Sequence, residues 1–373
     1  MGPQPGSQHP FACDASLYWR QVNEQMYHHA QTSHGNGFVA HQGQPEMPLC
    51  AFPPTEVPGF MQGLAKADAC KRIQEFWLKR VPMIKLFRVE PVDEKYGGDP
   101  QHVAEYQSSI LEHLKAEETR HWPNKDYMER QIDINPNMRG ILVDWVIEVQ
   151  MKFKMLPETL YLTINLIDRY LERTVIMRDR LQLVATAAML IACKYEEIHP
   201  PCIADFVFIT DNAFDVKEII QMERHILVAL EFQITVPSQY RFLERYAQIA
   251  GADKKLLHLA QLFMELTLLE QNLLAFTPSL VASSALYLAI KIIYKGYGIW
   301  SPTFVHYTGY QEAQLLNCAI DMIALRYHCE SSKLHTVLKK FSMERFSNVS
   351  SLDYKNSTPW ELFEMKREVR SQR

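Results

Sequence analysis

The sequence has no Cys-x-x-Cys pair, and its seven cysteines follow no framework spacing. That excludes a zinc ribbon and a dithiol redox motif, and it points to reduced thiols in the cytosol or nucleus. Basic charge is short as well. The formal net charge is −4, whereas a protein that grips nucleic acid through its phosphates needs a basic face. No long apolar run exists either. The apolar run Leu181 to Cys193 is too short to span a bilayer core of about 30 Å and reads as a buried helix. No secretory signal is visible. There is no phosphate-cradling glycine loop, no Gly-x-Ser-x-Gly turn, and neither His-Arg-Asp nor Asp-Phe-Gly. No motif supports an enzyme, and no cofactor, metal, nucleic-acid or membrane partner is expected.

Charge and periodicity are scarcest at the start. Residues 1–60 hold eight Pro, six Gly and only five charged residues. Such a segment cannot bury enough apolar surface to order itself, so a largely disordered arm is expected over 1–98. Helix formers return between Gly63 and Phe87 in poor register, and Pro82, Pro91 and "YGGDP" then break the chain.

What is present is helical throughout. After Asp99, a plausible cap, and Pro100 in the first turn, Val103, Tyr106, Ile110 and Leu114 recur at helical spacing. From Met138 onward helix-sized segments follow one another, with Pro157 and Pro237 at expected helix starts. The fold class is all-α. "LVATAAMLIACK" at Leu183 and "LVASSALYLAIK" at Leu280 share six of twelve positions at an offset of 97 residues. The same offset carries Asp168 onto Glu265 and Lys194 onto Lys291. Two copies of one helical module are therefore expected in tandem. The small residues Ala185, Ala187, Ala188 and Ala192 place this segment at the centre of its module.

"MRGILVDW", "LIDRYL", "LQLVATAAMLIACKYEEIHPP", "FVFITDNAF" and "MERHIL" occur in one order and spacing. Together they resemble the cyclin family, and within it a mitotic B-type cyclin, over about Asp99 to Lys340. The resemblance implies tandem five-helix folds with an N-terminal flanking helix and no catalysis of their own. The divisions expected are the arm at 1–98, a helix and connector at 99–137, modules at 138–236 and 237–330, and a tail at 331–373. It also implies a regulatory subunit that binds and activates a cyclin-dependent protein kinase near G2/M, in the nucleus and/or cytoplasm.

The resemblance gives residues their roles. Arg139 and Asp168 become a buried structural ion pair. Lys194 and Glu223 become the grip on the kinase's regulatory helix. The segment "NPNMRGILVDWVIEVQ" is too apolar for one buried face. The resemblance assigns its second stripe, Met138, Leu142 and Trp145, to a shallow exposed groove for Arg-x-Leu segments of substrates or inhibitors. Ile141, Glu148, Arg178, Leu181 and Gln182 complete that groove. Gly140 stands where Ala is usual, and an interior Gly costs roughly 1 kcal/mol relative to Ala, so a looser helix start is expected. Tyr195 replaces the common Phe. Other readings are a tandem-fold nucleic-acid-binding transcription factor and a cyclin-fold scaffold without a kinase. No Arg-x-x-Leu or Lys-Glu-Asn destruction signal precedes Met138.

Overall fold

The computed structural model describes residues 89–294 and 300–352, so the expected arm up to residue 88 and the tail from residue 353 lie outside the described residues. Within them all regular structure is helical. A helix α1 (Gln107–Glu117) precedes a first module of α2 (Pro136–Phe153), α3 (Pro157–Arg173), α4 (Leu181–Glu196), α5 (Ile203–Ile209) and α6 (Val216–Ala229). The second module holds α7 (Gln239–Ala250), α8 (Lys254–Leu268), α9 (Pro278–Ile293), α10 (Pro302–Thr308) and α11 (Glu312–Ser331). A short α12 (Thr336–Phe341) follows. The 97-residue repeat is kept in three dimensions, because α8 and α9 each begin 97 residues after α3 and α4.

Local chemistry sets the helix starts. The Asn135 side chain accepts from the Met138 N–H at 3.0 Å, and Pro136 occupies the first turn of α2. Asp215 and Glu218 form a reciprocal capping box on α6. Pro157 opens α3, but Pro237 stops short of α7, where Ser238 takes the cap. Thr277 and Ser301 both sit at N-caps, each followed by a proline in the first turn of its helix.

The apolar helices α4 and α9 lie at the module centres. Every residue from Leu181 to Cys193 is buried. Ala185, Ala187, Ala188 and Ala192 let α4 sit close against α3 and α6, and α9 packs in the same way against α7, α8 and α11. Gly140 has a packing reason as well. A Cβ there would come within 3.2 Å of the Leu269 carbonyl oxygen and 3.4 Å of the Leu334 side chain. The glycine lets α2 press against the second module, which is the opposite of a loosened start.

The segment before α2 departs from expectation. α1 begins at Gln107, not near Asp99. The Asp99 carboxylate instead accepts from the Gln101 N–H at 2.9 Å, a local turn that competes with helix, and Val103 adopts a left-handed conformation. The stripe meant to face the core does not do so. Val103 and Tyr106 are exposed, and Leu111 is the one residue of α1 that is buried.

Polar ties hold α1 instead. Lys115 Nζ donates to the Thr308 carbonyl at 2.6 Å, at the end of α10. Glu118 accepts from the Ser279 N–H and hydroxyl, both at 2.8 Å, at the start of α9. A cation at one helix C-terminus and an anion at another helix N-terminus suit both dipoles. Burial lowers the Lys115 pKa and raises that of Glu118, and their mutual attraction opposes both shifts. Upstream, residues 89–98 are not loose. Asp93 pairs with Arg245 at 2.7 Å, and Val92 is buried, its N–H donating to the Tyr307 hydroxyl at 3.2 Å.

α12 joins the modules. Lys340 Nζ donates to both Glu265 carboxylate oxygens, at 2.7 and 2.9 Å, and to Gln150 on α2 at 3.1 Å. Thr336 donates to Asp144 on α2 through its N–H at 3.1 Å and its hydroxyl at 2.7 Å. Burial raises the Glu265 pKa, with Lys340 opposing. Breaking a buried pair by removing one partner costs about 3–5 kcal/mol. Lys340→Met should therefore lower chemical-denaturation stability by about that much, and Glu265→Gln in the same background should recover part of it. Stability within about 0.5 kcal/mol of wild type in Lys340→Met would rule out this role for the pair.

Candidate functional site

Arg139 sits one turn into α2 and is 1 % exposed. A guanidinium there needs a full set of acceptors. Its Nε and Nη2 each reach one oxygen of Asp168 on α3 at 2.6 Å, and its Nη1 donates to the Leu268 carbonyl at the end of α8, at 2.8 Å. The Tyr127 hydroxyl donates to Asp168 at 2.7 Å. Burial works against the Arg139 charge, but Asp168 outweighs it and raises the guanidinium pKa. Burial also raises the Tyr127 pKa, so its hydroxyl stays a donor. The pair is structural and presents nothing to a partner. Tyr127 and Leu268 were missed in the sequence, and no motif marks either.

Lys194 and Glu223 also meet. Lys194 ends α4, Glu223 lies midway along α6, and those helices pack together. Nζ stands 2.7 and 3.0 Å from the two carboxylate oxygens. The lysine side chain is 52 % exposed and the glutamate 14 %. The repeat supplies an internal comparison. Lys291 is 15 % exposed, pairs at 3.0 Å with Glu312 at the start of α11, and lies over the Tyr287 ring. The positions matching Glu223, Ala319 or Ile320, are buried. The first module thus exposes the lysine of its pair and covers the glutamate, whereas the second covers the lysine and exposes the glutamate.

Beside Lys194, the hydroxyl of exposed Tyr195 shares a hydrogen bond with Thr235 in the connector between modules. Glu197 accepts from the Leu156 N–H at 2.7 Å and the Thr159 hydroxyl at 2.5 Å, securing the start of α3. Among the described residues no group of three or more His, Cys, Asp or Glu is placed to hold a metal ion, and no helix is long and apolar enough to cross a membrane.

The open groove expected on α2 is not observed. Met138, Ile141, Leu142, Trp145, Leu181 and Gln182 are all buried. The ten consecutive residues from Met138 to Ile147 are buried, and ten residues pass nearly three times round a helix, so every face is covered there. α3, α4 and α12 all pack against α2. The apolar surplus of this helix is therefore covered in this structure. The two charged groove candidates remain at the edge. Glu148 lies 4.0 Å from Lys152, and Arg178 is held by Asp133, whose carboxylate accepts from the Arg178 N–H and Nε, each at 2.9 Å. Those hydrogen bonds lower the Asp133 pKa. Trp145→Ala should behave as a core truncation and cost about 3–5 kcal/mol in urea unfolding. A loss under about 1 kcal/mol would mean that the ring stands in an open groove.

Comparison with known proteins agrees with the architecture. The family model described as "Cyclin, N-terminal domain" matches residues 109–235, and "Cyclin, C-terminal domain" matches 237–354. The chain is 42 % identical over 256 residues to a "G2/mitotic-specific cyclin-1" of Medicago sativa subsp. varia, covering 69 % of this chain and 60 % of the relative. It is 41 % identical over 262 residues to "Cyclin-B1-5" of Oryza sativa subsp. japonica, covering 70 % and 58 %. "Cyclin-A1-1" of Arabidopsis thaliana is 42 % identical over 273 residues, covering 72 % and 59 %. Similarity to B-type proteins is thus matched by similarity to an A-type one. The chain spans about 60 % of the length of these relatives. In three dimensions it resembles the crystal structure of a viral cyclin from herpesvirus saimiri, with a TM-score of 0.50 and 19 % identity over 58 % of this chain and 96 % of that one. That likeness bears on the fold alone.

Proposed function

The chain belongs to the cyclin family, and on that footing we propose that it is a regulatory subunit that binds and activates a cyclin-dependent protein kinase, with mitotic progression as its setting. One observation carries the proposal. Lys194 of the Lys194–Glu223 pair is turned to solvent, while the repeat turns its own lysine inward over the Tyr287 ring. An exposed ion pair adds little to stability, a median of about 0–1 kcal/mol. Its position at the meeting of α4 and α6 makes better sense as a contact for a partner. The protein supplies no reacting group. A rigid surface that binds the kinase's active arrangement more tightly than its inactive one shifts that equilibrium, and only by the difference in affinity. The kinase's own Lys–Glu ion pair is what such a shift would assemble. The nucleus and/or cytoplasm is the proposed setting.

Recruitment of Arg-x-Leu substrates or inhibitors belongs to the proposal with one condition. The Met138–Leu142–Trp145 stripe must first be uncovered, so the peptide's apparent affinity is reduced by the fraction of molecules that are open. Gln182→Ala should weaken such a peptide further, and unchanged titration would remove the stripe from the proposal.

The kinase contact has a direct test. Lys194→Ala combined with Glu223→Ala should abolish stable co-purification with the kinase and its activation. The melting temperature should stay within about 2 °C, because an exposed pair is being removed. Wild-type recovery of kinase by the double variant would overturn the assignment.

A further inference from the structure

Arg169 on α3 is a buried cation without a counter-ion. It is 3 % exposed, its Nη1 makes one long hydrogen bond of 3.3 Å to the Asn165 amide oxygen, and its Nη2 has no partner. The other buried arginines among the described residues each have a carboxylate. Arg139 has Asp168, Arg245 has Asp93 at 2.7 Å, and Arg326 has Glu330 at 3.0 Å. Burying a charge without its partner is costly, so natural structures pair such groups or place them where a ligand completes the pairing.

The surroundings are cationic. The segment from Arg120 to Asn124 runs across the Asn165–Arg169–Arg173 side of α3. The Asn165 amide donates to the His121 carbonyl at 3.4 Å, and Glu172 accepts from the Asn124 N–H at 3.3 Å. Burial and then Arg173 lower the Arg169 pKa to about 10, with Glu172 opposing. Burial, Arg169, Arg120 and Arg173 in turn lower the His121 pKa. Three guanidiniums therefore act on one imidazole. Two of them reach solvent, with the Arg120 side chain 65 % and the Arg173 side chain 41 % exposed. Their carboxylate partners are weak ones. Glu117 meets Arg120 at 3.1 Å on the surface, and Arg173, whose Nη1 donates to the Ala229 carbonyl at the end of α6, lies 3.8 Å from Glu231. Exposed pairs of this kind contribute little and give way readily.

We propose that Arg169, Arg173 and Arg120 form a binding site for a phosphoryl dianion, seated between α3 and the Arg120–Asn124 segment. Arg169 forms the floor, and the two exposed arginines form the mouth. A guanidinium offers parallel N–H donors that match phosphoryl oxygens, and two negative charges answer more than one of the three cations. A water could satisfy Nη2 but would leave the charge uncompensated. The site lies on α3, apart from Lys194 and Glu223, so it does not depend on kinase binding.

The test uses the full chain at constant ionic strength, with chloride as the balancing anion. Inorganic phosphate, a phosphoserine peptide and the same peptide unphosphorylated are each titrated by calorimetry and by thermal melting. Saturable binding and a raised melting temperature are expected with inorganic phosphate, the phosphopeptide or both. Phosphate alone marks a free-anion site, and the phosphopeptide marks a protein-borne group. Arg120→Gln and Arg173→Gln, both at exposed positions, should each weaken binding at least tenfold. Arg169→Met should abolish binding and, in phosphate-free buffer, melt no lower than wild type because it removes an unpaired charge. No saturable response to either probe would overturn the proposal, as would binding unaffected by the two exposed substitutions. A lower melting temperature of Arg169→Met without anion would do the same, since the arginine would then be structural.

Discussion

The fold turns on one side chain that cannot be left alone. Arg139 is carried into the interior by a helix that is apolar on every face. Once there, its guanidinium demands an anion and further acceptors. Asp168 meets that demand from α3 and the Leu268 carbonyl from α8. Those contacts reach across 29 and 129 residues of sequence. The first helix of one module is thereby fixed against the second helix of its own module and the second helix of the next. Gly140, the following residue, permits this approach by presenting no Cβ to the Leu269 carbonyl. The charge and the missing methyl group act together, since a bulkier residue there would press back the same backbone that supplies the third acceptor.

The second module solves the same problem with a different part. Glu265 stands where the repeat places Asp168, and it too is buried. The position matching Arg139 is Val236, in the connector before α7. The missing cation comes from Lys340 on α12, beyond the second module. Because α12 also bonds Asp144 and Gln150 on α2, the substitute cation closes a circuit back to the first module. An ion pair internal to one copy of the repeat is, in the other, the joint between copies. Replacing a cation on the first helix with one from outside the module is how two similar folds become one body.

The sequence made the helical class, the repeat and the Arg139–Asp168 ion pair legible, because each rests on periodicity or on a family motif. It misplaced what depends on long-range contacts. Val103, Tyr106, Ile110 and Leu114 have correct helical spacing, yet spacing does not say where a helix starts, and the first two precede α1. The polar ties of Lys115 and Glu118 to the ends of α10 and α9 hold that helix. The Met138–Leu142–Trp145 stripe, expected as an open groove, is covered in this structure. Periodicity showed more apolar surface than one partner helix could bury, but not that α3, α4 and α12 surround α2. α12 was the missing piece, and at six residues it carries too little pattern to be read. Arg169 went unread because a lone Arg after a motif Asp carries no signal until its missing carboxylate is seen.

A repeated module also shows which features the fold does not require. Lys194 and Lys291 end equivalent helices at the same offset, yet one side chain stands in solvent and the other lies over an aromatic ring beside Glu312. If the lysine served only to close its helix, the enclosed arrangement would suit both copies. It gives the cation a π-face and less water to screen its attraction to the carboxylate. The first module forgoes that gain and holds its carboxylate at a buried-facing position of α6, where the second has only an apolar residue. A feature that adds little to stability, differs between copies of one fold and stands exposed is best explained by something that binds there. Nothing comparable can be said of Arg139 and Asp168, whose charges are spent wholly within the protein. The same contrast therefore separates the ion pair that builds the molecule from the one proposed to address a partner.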